Sequence, residues 1–363
     1  MSHSATTAFF DLDQDQLVHW CDENDLPSYT AGQIQQWVYQ HGCANPQEMS
    51  NLRQSTRDLL AEKMVFLEGQ VNRHQLATDG TQKILVRWPD TGDELKLGES
   101  VMIPDGQRAT ACLSSQIGCP VGCRFCASGL GGLEGNLTAG RIVEQVYHLT
   151  RLAGRERITH VVFMGMGEPL ANFASVTKAI KTLNAPWGFG IGARRITVST
   201  VGLPVAIRRL AAFDLPITLA LSLHAPNDEL RRELIPWAEY ATISELLDAC
   251  QEYFRRSGRE ITLEYLLLGG VNDFPEHARE LAVVAKQLRA NINLIRYNEV
   301  KGLPYERPAT DDVLRFQEIL RGKRVNAHIR KSRGRDIAAA CGQLRRLTQP
   351  TIQQTAGDLK SKS

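Results

Sequence analysis

Cys119-Pro120-Val121-Gly122-Cys123-Arg124-Phe125-Cys126 packs three thiols into eight residues, spaced C-x3-C-x2-C, on a predicted loop that follows a strand. The N-terminal Met1-Ser2-His3-Ser4 carries no signal-peptide pattern, so a reducing cytoplasm is expected and disulfides are not. Thiols this close then point to a metal or a cluster. Three is the informative number. A structural zinc site takes four protein ligands, and a fully ligated cubane takes four cysteines. Three thiolates on a four-iron cluster leave one iron open. A zinc site completed by a distant His148 or His160 competes with that reading, as does chance grouping among eight cysteines.

Beyond this loop, apolar β-branched runs alternate with amphipathic stretches. Strands are predicted at 109–115, 160–164, 195–199, 217–223, 261–268 and 292–297, with helices at 139–152, 173–183, 204–212, 243–256 and 276–288. Such alternation implies an α/β fold with a parallel sheet and right-handed crossovers. Six units suit a partial (β/α)6 barrel with its site at the C-terminal strand ends; a doubly wound sheet is the alternative. A further strand at 325–331 and a helix at 336–346 are expected to close the core.

On the N-terminal side, residues 1–70 read as a small helical domain in which Trp20, Ile34, Trp37 and Val38 are core. Residues 71–108 read as a β-hairpin linker, 109–346 as the core with its C-terminal cysteine segment, and 347–363 as a polar tail. The 363 residues are 43% hydrophobic and 23% charged, enough apolar material for a sizeable core, and no apolar run is long enough to span a membrane. Net charge is only +2, but residues 321–346 hold nine Arg or Lys against the single acid Asp336, a plausible phosphate-binding surface.

Several polar groups fall at predicted strand ends. Gly165-Met166-Gly167-Glu168-Pro169 combines glycines that permit close backbone approach with a carboxylate that can bind an ammonium group. Ser199, the run Ser222-Leu223-His224, and Asn298 end later strands. Each alone reads as a turn, a cap or a satisfied polar residue. Their shared position makes one common site the better account. Cys112 precedes Cys119 on the strand feeding the loop, and Cys341 lies in the run Ala338-Ala339-Ala340-Cys341-Gly342; each alone reads as a buried, inert thiol.

Taken together, the cysteine loop and the Gly-Glu-Pro element resemble the radical S-adenosylmethionine (SAM) superfamily. With Glu99, Cys112, Ser222 to Asp228 and the Cys341 segment added, the chain resembles the RlmN/Cfr family from its N-terminal helices to about Leu344. The resemblance implies a radical-SAM methyltransferase that modifies an adenine of 23S rRNA, possibly also of tRNA. Carbon 2 is the expected position and carbon 8, or another radical-SAM substrate, the alternative.

By the same resemblance, Cys119, Cys123 and Cys126 hold a 4Fe-4S cluster whose open iron binds SAM, and two SAM molecules serve each turnover. Gly167, Glu168, Ser199, Ser222, Leu223, His224 and Asn298 match the SAM contacts. Cys341 matches the cysteine that becomes S-methylated and links the protein to RNA through a methylene carbon. Cys112 matches the cysteine that resolves this adduct by disulfide formation, and Glu99 the proton acceptor. An electron donor such as flavodoxin or ferredoxin is implied, no membrane partner, and nothing demands more than a monomer.

Overall fold

The computed structural model describes residues 6–89, 95–152 and 157–344. At the N-terminus, helices α1 (Gln14–Glu23), α2 (Tyr29–Gln35) and α3 (Gln54–Lys63) are fastened by a short parallel pair, β1 (Thr7–Ala8) and β2 (Met64–Val65). Asp13 caps α1 through a reciprocal box with Gln16. Leu17, Trp20 and Cys21, at helical spacing, bury together.

Three antiparallel strands follow: β3 (Gln70–Leu76), β4 (Gln82–Pro89) and β5 (Leu95–Asp105). The expected hairpin is β4–β5, in the register Gln82↔Met102 to Pro89↔Leu95; its connection at 90–94 lies outside the described residues. β3 was not anticipated, because its Gln, Asn, Arg and His residues carry no apolar alternation and almost all are exposed. The linker also continues the main sheet, since β5 pairs antiparallel with β6 (Arg108–Cys112).

Two short strands, β7 (Gln116–Gly118) and β8 (Leu133–Asn136), form a separate ribbon that brackets the cysteine loop. The core then alternates as expected. Helix α4 (Ala139–Thr150) leads to β9 (His160–Phe163), α5 (Phe173–Asn184) to β10 (Ile196–Thr200), and α6 (Pro204–Ala211) to β11 (Thr218–Ser222). Helices α7 (Asp228–Leu234) and α8 (Ile243–Ser257) precede β12 (Ile261–Leu267). Helix α9 (Pro275–Ala285) precedes β13 (Ala290–Arg296), and α10 (Thr310–Gly322) precedes β14 (Ala327–Arg330). The sequence reading had not singled out α7 or α10.

The sheet runs β14-β13-β12-β11-β10-β9-β6-β5-β4-β3, parallel from β6 through β14. Parallel strands are added in one direction without the reversal that defines a doubly wound sheet. The two edges, β3 and β14, do not pair with each other. The result is the partial barrel, six strand-helix units long with β14 as a seventh parallel strand.

The expected closing helix at 336–346 does not form over its described part. Only Arg335–Ile337 make a single helical turn, flanked by left-handed Gly334 (φ 64) and Ala338 (φ 49). Tertiary bonds override the helical preference of the three alanines. The Gly334 N–H donates to Asp79 Oδ2 (3.0 Å), and Lys83 Nζ donates to the Ala338 carbonyl (3.0 Å). Arg345, Arg346 and the tail lie outside the described residues.

Candidate active site

The cysteine loop hangs from the β7–β8 ribbon. Gly118 makes the turn in the left-handed region (φ 72), where a Cβ would come within 2.0 Å of the Gly132 carbonyl. The Cys119 N–H donates to that same carbonyl (3.0 Å). On its far side the loop leans on α7, the Arg124 N–H donating to the Leu234 carbonyl (3.0 Å). It is also bound to the C-terminal segment. The Ala127 N–H donates to Gly342 O (2.8 Å), and Ser128 Oγ donates to Leu344 O (2.6 Å). Elements remote in sequence thus meet around Cys341.

A cavity enclosing about 910 Å³, its open mouth included, lies above the strand ends. Cys119, Cys123, Cys126, Gly167, Glu168, Ser199, Ser222, His224 and Cys341 all line it. Gly167 has φ 107, and a Cβ there would approach that of Gln116 to 2.7 Å, so only glycine fits without a shift. Ser199 Oγ and Ser222 Oγ, on neighbouring strands, are 3.1 Å apart. A second cavity is lined by Cys112, Asn298, Arg330 and again Cys341, with Arg108, Lys331 and Arg333 also on its wall. The two cavities share Cys341, Arg330, Met164 and Ile295.

Glu168 is 3% exposed, and burial raises its carboxyl above the ordinary value against the pull of the N–H groups of Val201 (2.8 Å) and Leu170 (2.9 Å). His224 adopts φ 57, and its Nδ1 accepts from the Leu266 N–H (3.0 Å). The ring is therefore neutral with its proton on Nε2; burial first, and the Arg231 charge second, push its pKa down to about 3. Burial pushes Cys112 up to about 12, and the nearby charge of Cys341 adds to it.

Two of the expected residues do not reach either cavity. Leu223 is fully buried in the apolar core, because successive side chains at a strand end face opposite ways. Its backbone is bonded within the fold, the N–H donating to Glu264 O (3.0 Å) and the carbonyl accepting from Arg231 Nε (3.2 Å). Glu99 is 3% exposed and ion-paired with Lys83 at 2.8 Å. It stands behind the C-terminal segment, linked to it through the Lys83 bond to Ala338.

Two site residues were missed. Glu264, 3% exposed, accepts from Asn293 Nδ2 (2.9 Å) and pairs with Arg330 (3.2 Å). Its signal was an acid in the middle of the apolar run Ile261–Leu267. Arg330 was counted only as part of a basic stretch.

The zinc alternative finds no support. Among the described residues no group of three or more His, Cys, Asp or Glu side chains is arranged to hold one metal ion. His148 pairs with Glu144 (3.7 Å) and His160 bonds Thr159 (2.9 Å), away from the cavity. A cubane suits the donors better, because each thiolate binds a different iron and the three need not converge on a point. Burial is the leading cause that holds all three thiols up, Cys119 at about 12, so a bound cation would favour their ionised form.

Comparison with known proteins agrees with this geometry. The radical SAM superfamily model matches residues 113–282, and the model of the ribosomal RNA large subunit methyltransferase N-terminal domain matches residues 7–66. A probable dual-specificity RNA methyltransferase RlmN of Rhodopirellula baltica is 46% identical over 333 residues, covering 92% of this chain and 89% of the relative. Its counterpart in Gloeobacter violaceus is 44% identical, covering 97% and 99%. The crystal structure of a radical SAM methyltransferase from Sphaerobacter thermophilus superposes with a TM-score of 0.89 at 40% identity, covering 93% of this chain and 99% of that one.

Proposed function

The chain belongs to the RlmN family of radical SAM methyltransferases, and from that premise we propose that it is a dual-specificity RNA methyltransferase that modifies carbon 2 of an adenine in 23S rRNA and in tRNA by way of S-methylated Cys341. The observation that carries this reading is the bond pair from Ala127 and Ser128 to the C-terminal segment. It supports this reading because Cys341 lines both the cavity of the three loop cysteines and the cavity lined by Cys112.

Cys119, Cys123 and Cys126 are the residues that would hold a 4Fe-4S cluster, and Gly167, Glu168, Ser199, Ser222, the Leu223 backbone, His224 and Asn298 those that would hold SAM. When bound, cluster and SAM supply a single-electron route to an adenine carbon that has no lone pair to attack with. The rest falls to side chains. Glu168 offers a buried carboxylate to an ammonium group, and neutral His224 offers its Nε2–H. Cys341 carries the methyl carbon on Sγ. Once that carbon is bonded to the adenine ring carbon, the Cys112 thiolate attacks the Cys341 sulfur: the S–S bond forms, the sulfur–carbon bond breaks, and the electron pair passes into the modified base, whose new carbon is then protonated to a methyl group. Glu99 is the carboxylate that would take the ring proton, although in this structure it is paired with Lys83 and lines neither cavity. Arg108, Lys331 and Arg333 give the second cavity a basic wall for a phosphate backbone, and an extruded base fits such a cavity better than a stacked one.

The test is nucleoside mass spectrometry after an anaerobic reaction of reconstituted protein with SAM, a reductant and unmodified 23S rRNA fragment or tRNA. The expected product is 2-methyladenosine, absent with Cys341→Ala. An 8-methyl product would move the reaction to the other ring carbon. No methylated adenosine on either RNA would overturn the reading.

A further inference from the structure

Arg231 is a buried charge that the reaction above leaves unused. It lies near the end of α7 and is 1% exposed, among the largest fully buried side chains of the molecule. No carboxylate stands within ion-pair distance of it among the described residues, whereas buried Lys83 and half-buried Arg330 each have one. Its Nε donates to the Leu223 carbonyl (3.2 Å) and its Nη2 to the Val201 carbonyl. Carbonyl dipoles solvate a cation without neutralising it, and a buried charge with no ion-pair partner in direct contact is costly.

The missing anion has an evident place. The cysteine loop is bonded to α7 through the Arg124 N–H and the Leu234 carbonyl (3.0 Å). Val201, whose carbonyl accepts from Arg231, lines the same cavity as Cys119, Cys123 and Cys126. Asp228, on the same helix, is the nearest acid, but no ion pair joins it to Arg231 and its Oδ1 accepts from the Ile243 N–H (2.8 Å); His224 is neutral.

We propose that Arg231 is the internal counter-ion of the cluster held by Cys119, Cys123 and Cys126, and a positioning residue that ties the ends of β10 and β11 to it. The assignment rests on the radical SAM reading of the loop. Three thiolates bring negative charge into a buried site, and each added electron makes it more negative. A fixed cation beside them favours the reduced state and raises the reduction potential. Arginine suits the place better than lysine because its planar fork reaches two carbonyls from one position.

The test compares wild type, R231Q and R231K as anaerobically reconstituted holoenzymes, reading iron and sulfide content and then the cluster's midpoint by optical redox titration. R231Q keeps hydrogen-bonding groups and loses the charge; R231K keeps the charge and loses the fork. The expected result is that R231Q loads iron and sulfide but shows at least a tenfold lower reduced-to-oxidised ratio at fixed potential, about 59 mV for one electron. R231K should stay close to wild type. Equal midpoints for wild type and R231Q, or equal shifts in both variants, would overturn the charge assignment. So would an R231Q chain that fails to fold while wild-type apo-protein folds, because the side chain is then a strut needed without the cluster. Wild-type protein that takes up no iron and sulfide would sink the cluster reading itself, and the wild-type control tells that failure apart.

Discussion

At the scale of single residues, Cys112 and Cys341 line the same cavity. Burial, as the leading cause, pushes Cys112 up to about 12, so its thiol is protonated and a poor nucleophile until its proton is taken. In the proposed mechanism Cys112 is the residue that resolves the adduct on Cys341. Cys112→Ala should therefore allow one round of attachment and then stall, leaving a covalent protein–RNA species on a denaturing gel and no released methyladenosine. Wild-type turnover in that variant would remove Cys112 from the mechanism. His224 gives a prediction about stability. Its pKa falls from 6.5 to about 3 on folding, so the unfolded chain binds the proton first. Stability is full above the unfolded value and declines as pH falls toward the folded one, at up to about 1.4 kcal/mol per pH unit. Denaturant titrations at about pH 6 and pH 4 should show His224→Gln losing less stability than wild type over that interval. Equal losses would mean that other groups govern the acid limb.

At the scale of elements, the C-terminal segment is held by strand β4 rather than by its own helicity. Lys83 opposes Val101 across the β4–β5 ladder, which puts Glu99, two residues away, on the same face as its diagonal neighbour. The buried pair then reaches the Ala338 carbonyl, three residues before Cys341. Lys83→Met breaks the buried pair with Glu99, a change that costs about 3–5 kcal/mol in buried pairs. The double variant Lys83→Met/Glu99→Leu should regain much of that stability in denaturant titrations while losing activity. A double variant no more stable than the single one would show that the pair does not act as a unit.

This scale also shows where the sequence was readable. Each core strand from β9 to β13 was placed within about two residues, because apolar β-branched runs bounded by helical periodicity carry a local signal. Gly167 was legible as a close approach for the same reason, since nothing but backbone and sequence spacing is needed to see it. Three features were not legible. The polar edge strand β3 has no apolar face to reveal it. The segment after Gly334 is shaped by bonds to Asp79 and Lys83, more than 250 residues away in sequence. Arg231 resembled any arginine on a short charged helix, and only the fold shows that it is buried against the Val201 and Leu223 carbonyls.

At the scale of the whole molecule, the N-terminal helices and the barrel share one core. Tyr39 of the N-terminal unit contacts Phe9 and Phe10 on one side and Trp187 (6.0 Å) and Phe189 (5.2 Å) of the barrel on the other. Phe10 meets Tyr147 of α4 at 5.6 Å between ring centres. An accessory domain free to swing would keep its aromatic surface for itself, whereas here that surface is spent on the barrel. The Tyr39 hydroxyl is buried and has no hydrogen-bond partner among the described residues. Its ring and its oxygen should thus act in opposite directions. Tyr39→Ala removes a ring from both units and should cost about 3–5 kcal/mol. Tyr39→Phe removes only the unpaired oxygen and should leave stability equal or higher. If the units form one cooperative body, calorimetry on wild type and Tyr39→Ala should show a single transition that moves as a whole. A second, earlier transition confined to the N-terminal helices would show instead that the two units unfold separately, and the aromatic contact would then be a docking surface rather than a shared core.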